Sequence, residues 1–159
     1  MSTKIEQLQA ITRLYKLETG KKEVDTNELA AFAMLRGVVP PQPKTAKELL
    51  AAQFSHALSI EHRRDPATGY SYRANHALRK MQNGNQMTFW VDIDEATRKQ
   101  MHLSLTSRRQ QMIGDGVQLK IDELVWNNKN VNEQPIQMVM DFTDDVEERL
   151  NAPEFENAA

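Results

Sequence analysis

Apolar residues recur at helical spacing through the first third of the chain. Ile5, Leu8, Ile11, Leu14, Tyr15 and Leu17 sit among charged neighbours, which predicts a helix over 3–19 stopped at Gly20. A second helix is expected from Thr26 as N-cap, with Leu29, Ala30, Phe32, Ala33, Met34 and Leu35 as its apolar content and Gly37 as its end. Pro40, Pro41 and Pro43 then make a stiff connector, because proline cannot continue a helix and pushes the residue before it to extended geometry. Thr45-Ala46-Lys47-Glu48 has the spacing of a capping box and opens a third helix through about His62.

The middle of the chain changes period. Asp65-Pro66-Ala67-Thr68-Gly69 and Asn83-Gly84-Asn85 are turn sequences. Tyr70-Ser71-Tyr72 is expected to be extended, Ala74 to Met81 to continue it or to form a short helix, and Met87 to Val91 to be a strand. Together they predict a small hairpin or sheet around 70–91. Asp92 or Asp94 would then cap a long helix over about 94–126, in which Leu105, Met112, Leu119 and Trp126 fall seven apart. Gly114-Asp115-Gly116 interrupts it, and a strand over 117–122 is the alternative reading. After an Asn-rich loop, 136–142 reads as strand or helix and 144–150 as helix, with 153–159 a flexible acidic tail. The expected fold is therefore α+β and predominantly helical: a three-helix N-terminal segment, a small hairpin, a long helix and a short C-terminal strand or helix. One compact domain over 1–152 would bury Phe32, Leu35, Leu50, Phe54, Leu58, Phe89, Leu105, Leu119 and Trp126.

Charge adds a partition that the hydrophobic pattern does not show. Residues 1–120 carry 18 Lys and Arg against 12 Asp and Glu, whereas residues 121–159 carry two against ten. Such asymmetry points to partners rather than to fold. The chain has no cysteine, which excludes disulfides, thiolate metal sites and a cysteine nucleophile. It has no apolar run near the ~20 residues that span a bilayer, and its first residues lack the pattern of a signal peptide. A cytoplasmic protein with no membrane partner is the expectation.

The densest candidate for binding chemistry is the basic, aromatic stretch 63–109. Phosphates need spaced cations, and single strands also need flat rings for stacking. Arg73, Arg79, Lys80, Arg98 and Arg109 supply the first and Tyr70 and Tyr72 the second. The mean composition, with a pI near 6.1, weighs against a dedicated nucleic-acid-binding domain. The helix pair 26–36 and 45–60 does not make a helix-turn-helix, since its proline-rich connector is longer than that motif's tight turn.

Enzyme chemistry has weaker support. His56, His62, His76 and His102 have no metal-binding spacing, and there is no phosphate loop, dinucleotide fingerprint or nucleophile motif. His62, Asp65 and His76, or Asp92 and Asp94 with a metal, are the candidate sites, although capping accounts for the two aspartates. No cofactor and no metal is expected. The acidic end, with Asp144, Asp145, Glu147 and Glu148, is a candidate protein-binding segment over 133–156. The expectation is a small, non-enzymatic, macromolecule-binding protein with a nucleic-acid-associated role. The alternative is a protein–protein adaptor or inhibitor, and self-association is left open.

Overall fold

The computed structural model describes residues 2–152. The order of elements is α1 (Lys4–Thr19), α2 (Thr26–Leu35), α3 (Ala46–Ile60), β1 (His62–Arg64), β2 (Ser71–Arg73), β3 (Asn75–Gln82), β4 (Asn85–Asp92), α4 (Arg98–Lys129) and α5 (Thr143–Asn151). The expected helical α+β class is the one observed, with two antiparallel two-stranded sheets among the helices. The contacts divide the chain into two compact units, Met1–Ala52 and Gln53–Ala159.

In the first unit, α1 begins in a capping box: the Thr3 hydroxyl accepts from the Glu6 N–H, and the Glu6 carboxylate accepts from the Thr3 N–H. It ends at Gly20, whose φ of +69° a side chain would disfavour. The cap of α2 is Asp25 rather than Thr26, because its carboxylate takes the N–H groups of both Asn27 and Glu28. Tyr15 is the buried centre. Its ring meets Phe32 edge-on at 5.2 Å, and its hydroxyl donates to Glu28, which also holds Lys21 at 2.7 Å. The Lys21 ammonium, with the Tyr15 hydroxyl second, keeps the Glu28 carboxyl below its ordinary range.

The second unit is built on two hairpins. α3 begins in the first unit, where Thr45 and Glu48 form the expected capping box, and its second half belongs to this unit; the helix stops at Ile60, two residues early, because His62 enters a strand. β1 pairs with β2 around a turn fastened by Asp65, whose carboxylate accepts from the Ala67 and Thr68 N–H groups and the Thr68 hydroxyl. The whole of 75–82 pairs with 85–92, so the short-helix alternative for 74–81 is not taken. The two-residue loop is Asn83-Gly84, both with positive φ, which matches the twist of the strands it joins. The hairpins are stitched together through Ala74, which bonds Glu61 and Ile93 through its backbone, and through Arg63, which grips Asp92 and Asp94.

Those ion pairs explain why neither aspartate caps α4. The cap is Thr97, three residues after Asp94 and five after Asp92, reciprocated by Gln100. α4 then runs unbroken to Lys129 through both glycines, and 117–122 is helix rather than strand. Gly116 has a local reason: a Cβ there would lie 2.8 Å from Met140 Cε. At Gly114 a Cβ would meet nothing within 4 Å among the described residues, although glycine costs a helix about 1 kcal/mol relative to alanine.

Residues 136–142 are neither strand nor helix. They form an extended strap that runs back along α4, held by side chains where a strand would be held by another backbone. The Asn127 amide donates to the Ile136 carbonyl and accepts from its N–H, and Glu123 accepts from the Met138 N–H at 2.7 Å. Phe142, next in the alternation, lines the groove where strap and helix meet.

The buried interior is small. Among the described residues, only Tyr15, Ala33, Ala74 and Leu78 are buried apolar ones, joined by Asn75, His76, Ser104 and Glu123. Of the expected core, Phe32 and Leu58 are half-buried. Leu35, at 87% exposed, and Leu50, Phe54, Phe89, Leu105, Leu119 and Trp126 are all on the surface. Periodicity marks such positions as apolar faces, but among the described residues these side chains stay exposed.

A candidate anion-binding cleft

Strand alternation decides which basic residues meet. Along β3, side chains at 75, 77 and 79 share one side of the hairpin and those at 76, 78 and 80 the other. Arg79 therefore joins Ala77 and its cross-strand partner Trp90 on the side facing α4. Lys80 goes to the opposite side, with its ammonium 5.6 Å from the centre of the Phe89 ring.

α4 meets this hairpin with polar side chains. Ser104, Ser107, Arg108 and Gln111 fall at i, i+3, i+4 and i+7, which is one face of a helix. Ser104 is almost fully buried, so helix and strand approach closely there. Arg73, Arg79 and Arg108 then surround a cleft of about 150 Å³, with Asn75, His76 and Trp90 in its wall. That is the volume of about five waters. Gln111 suits one of the three guanidinium groups: turned so that its amide oxygen faces Arg79, it would accept from Nη2 at 2.6 Å and Nη1 at 3.0 Å. His76 is anchored from within, its Nε2 lying 3.0 Å from the Arg73 carbonyl oxygen. Asn75 is held by the Leu58 carbonyl and the Glu61 carboxylate.

No carboxylate lines the cleft, and among the described residues Arg73, Arg79 and Arg108 form no ion pair. Three cations around one cavity repel each other, and an anion seated between them would relieve that repulsion. Guanidinium groups also present paired N–H donors to phosphate or carboxylate oxygens.

The structure separates the other candidates from this group. Tyr70 and Tyr72 line a different pocket with Asp65 and Asp94, so the rings are not beside the three arginines. Arg98 is the first residue of α4, and Arg109 lies one helix position beyond Arg108, on the groove beside Met112 and Phe142. Arg108 was not among the site residues expected from sequence. Its signal was the polar stripe 104-107-108-111, whose two serines mark a helix face that a strand can approach.

The groups weighed for catalysis are occupied locally. His62 Nδ1 lies 2.7 Å from the Ile60 carbonyl oxygen, and Asp65 is spent on its turn. Asp92 is held by Arg63 at 2.8 and 2.5 Å, and this pairing brings its carboxyl down to about 2. Among the described residues no three His, Asp or Glu side chains gather as metal ligands, and no helix is long and apolar enough to cross a membrane. The acidic residues Asp144, Asp145, Glu147 and Glu148 lie on α5, and among the described residues none forms an ion pair with the basic cleft or with any other group. No protein-family model, curated protein or solved structure matches the chain.

Proposed function

We propose that the chain is a non-enzymatic, nucleic-acid-associated protein that seats backbone phosphates against Arg73, Arg79 and Arg108. The observation that carries this reading is the convergence on one cleft, without a carboxylate in its lining, of three arginines that form no ion pair among the described residues. Binding of this kind releases counterions, so it weakens steeply with salt. The test is fluorescence anisotropy on labelled single- and double-stranded DNA and RNA at ~50 and ~200 mM salt, with wild type and the Arg79→Ala, Arg108→Ala double variant. Salt-sensitive binding lost in the double variant supports the reading. Absence of binding at the lower salt, or equal binding by the variant, overturns it.

The acidic end supports a second reading, a protein–protein adaptor or inhibitor acting through 133–156. Its specific observation is that α5 carries Asp144, Asp145, Glu147 and Glu148, without an ion pair among the described residues, beside exposed Val146 and Leu150. A helix with an apolar stripe flanked by carboxylates suits a groove with a basic rim. Partner capture that survives Val146→Asp, Leu150→Asp would remove this reading.

A further inference from the structure

The basic cleft is shaped for one kind of phosphate more than another. Its size sets the first limit. At about 150 Å³, the volume of about five waters, it holds one tetrahedral phosphate group. A nucleoside is several times larger. Its depth sets the second limit. Ser104, His76 and Asn75 in its wall are 2%, 6% and 9% exposed, so part of the cleft reaches buried side chains. An internal phosphodiester is tethered through two of its oxygens, and seating it at depth would draw the chain on both sides into the cleft. A terminal monoester is tethered through one oxygen and enters end-on.

The donors set the third limit. Arg73, Arg79 and Arg108 bring three guanidinium groups to the cleft. Among the described residues the side chains of Arg73, Arg108 and Ser104 donate no hydrogen bond. A phosphate monoester offers three terminal oxygens, one for each arginine, and carries about −1.5 to −2 charges at pH 7. A phosphodiester offers two non-bridging oxygens and one charge, which leaves one guanidinium without an oxygen and most of the positive charge uncompensated. Trp90 says what carries the monoester. Its half-buried ring stands in the same wall as the arginines, and a flat ring beside a phosphate seat gives the base of an end nucleotide a surface to stack on. A phosphoserine side chain brings no ring to such a surface.

We propose, resting on the phosphate-binding reading, that the cleft recognises the terminal phosphate monoester of a nucleic-acid strand, with Arg73, Arg79 and Arg108 on its three oxygens and Ser104 as a further donor. The test is fluorescence anisotropy at ~50 mM salt on one single-stranded DNA sequence, labelled in its middle and carrying a 5′-phosphate, a 3′-phosphate or neither. Circular dichroism reports folding. Wild type is expected to bind at least one phosphorylated strand about tenfold tighter than the unphosphorylated strand, the scale of added charge-assisted hydrogen bonds. Arg108→Gln should bind all three strands alike, and Ser104→Ala, a milder change, should narrow the gap. Equal affinity of wild type for the three strands overturns this proposal; salt-sensitive binding lost in the Arg79→Ala, Arg108→Ala double variant would still leave the phosphate-binding reading standing. Absence of binding by all three overturns both. A gap unchanged in Arg108→Gln and Ser104→Ala overturns the placement of the monoester in this cleft. A phosphoserine peptide that displaces the phosphorylated strand as readily as an unlabelled copy of that strand overturns its assignment to a nucleic-acid end.

Discussion

Gly116 and Met140 are fitted to each other: the helix has no side chain where the strap lays its methionine, and a Cβ at 116 would come within 2.8 Å of Met140 Cε. The contact tests how the strap is held. Gly116→Ala gains about 1 kcal/mol of helix propensity and forces the end of a flexible side chain to shift, at about 0.5–1.5 kcal/mol. The expected net change is therefore small. Gly116→Leu takes the methionine's place outright and should destabilise by about 1–3 kcal/mol, the usual cost of overpacking. In a Met140→Ala background most of that loss should vanish. Urea midpoints for the four-variant cycle measure the coupling, and purely additive effects would mean that the strap is not seated on Gly116.

Glu123 pins the same strap by charge. It is only 8% exposed, and its two oxygens accept from Lys120 Nζ at 2.6 Å and from the Met138 N–H at 2.7 Å. These contacts, that of Lys120 first, hold its carboxyl below the ordinary range. Glu123→Gln keeps an oxygen for the Met138 N–H, while Glu123→Ala leaves that N–H without its acceptor. Amide exchange at Met138 should rise severalfold more in the alanine variant than in the glutamine variant. Equal exchange in both would show that the ion pair with Lys120, and not the strap bond, is what matters.

What was legible in the sequence was local chemistry. Thr45 with Glu48, and Asn83-Gly84, depend only on residues within a turn of each other, and both form as read. The start of α4 was missed because Asp92 and Asp94 satisfy the same capping pattern as Thr97; only Arg63, 29 residues away from Asp92, removes them from the competition. The strap was out of reach for a related reason. Alternation over 136–142 suggested a strand, but its acceptors and donors are the side chains of Asn127 and Glu123. The seven-residue stripe from Leu105 to Trp126 correctly marked a helix and wrongly implied burial, since periodicity shows that a face is apolar and not what lies on it. The cleft was half legible. Arg73 and Arg79 were read, whereas Lys80 and Arg109 sit one residue from the cleft positions and face elsewhere.

That one-residue distinction gives a prediction of its own. If phosphates seat in the cleft, Arg79→Ala should weaken nucleic-acid binding and lower the slope of log K against log salt by about one. Lys80→Ala, on the far side of the same strand, should leave both almost unchanged, although a diffuse basic surface would treat the two residues alike. Parallel salt titrations of the two variants decide between a cleft and a diffuse surface.

Arg63 and Asp92 join the two hairpins, and their contribution should be lost in acid. Two hydrogen bonds from Arg63, followed by one from the Asp94 N–H, hold the Asp92 carboxyl at about 2, well below its ordinary 3.8. A carboxyl whose folded value is depressed binds its proton more readily in the unfolded chain, so protonation favours unfolding. The stabilisation is complete above the unfolded value and is lost as pH falls from about 5 to about 2. Asp92→Asn cannot lose what it lacks. Wild type should therefore be more resistant to urea than Asp92→Asn at pH 7, with a gap that narrows steadily below about pH 5 and nearly closes by about pH 2. Arg63→Gln should show the same convergence, since without the guanidinium the carboxyl returns toward its ordinary value. A gap that stays constant over this range would mean that the pair is formed in the fold without stabilising it.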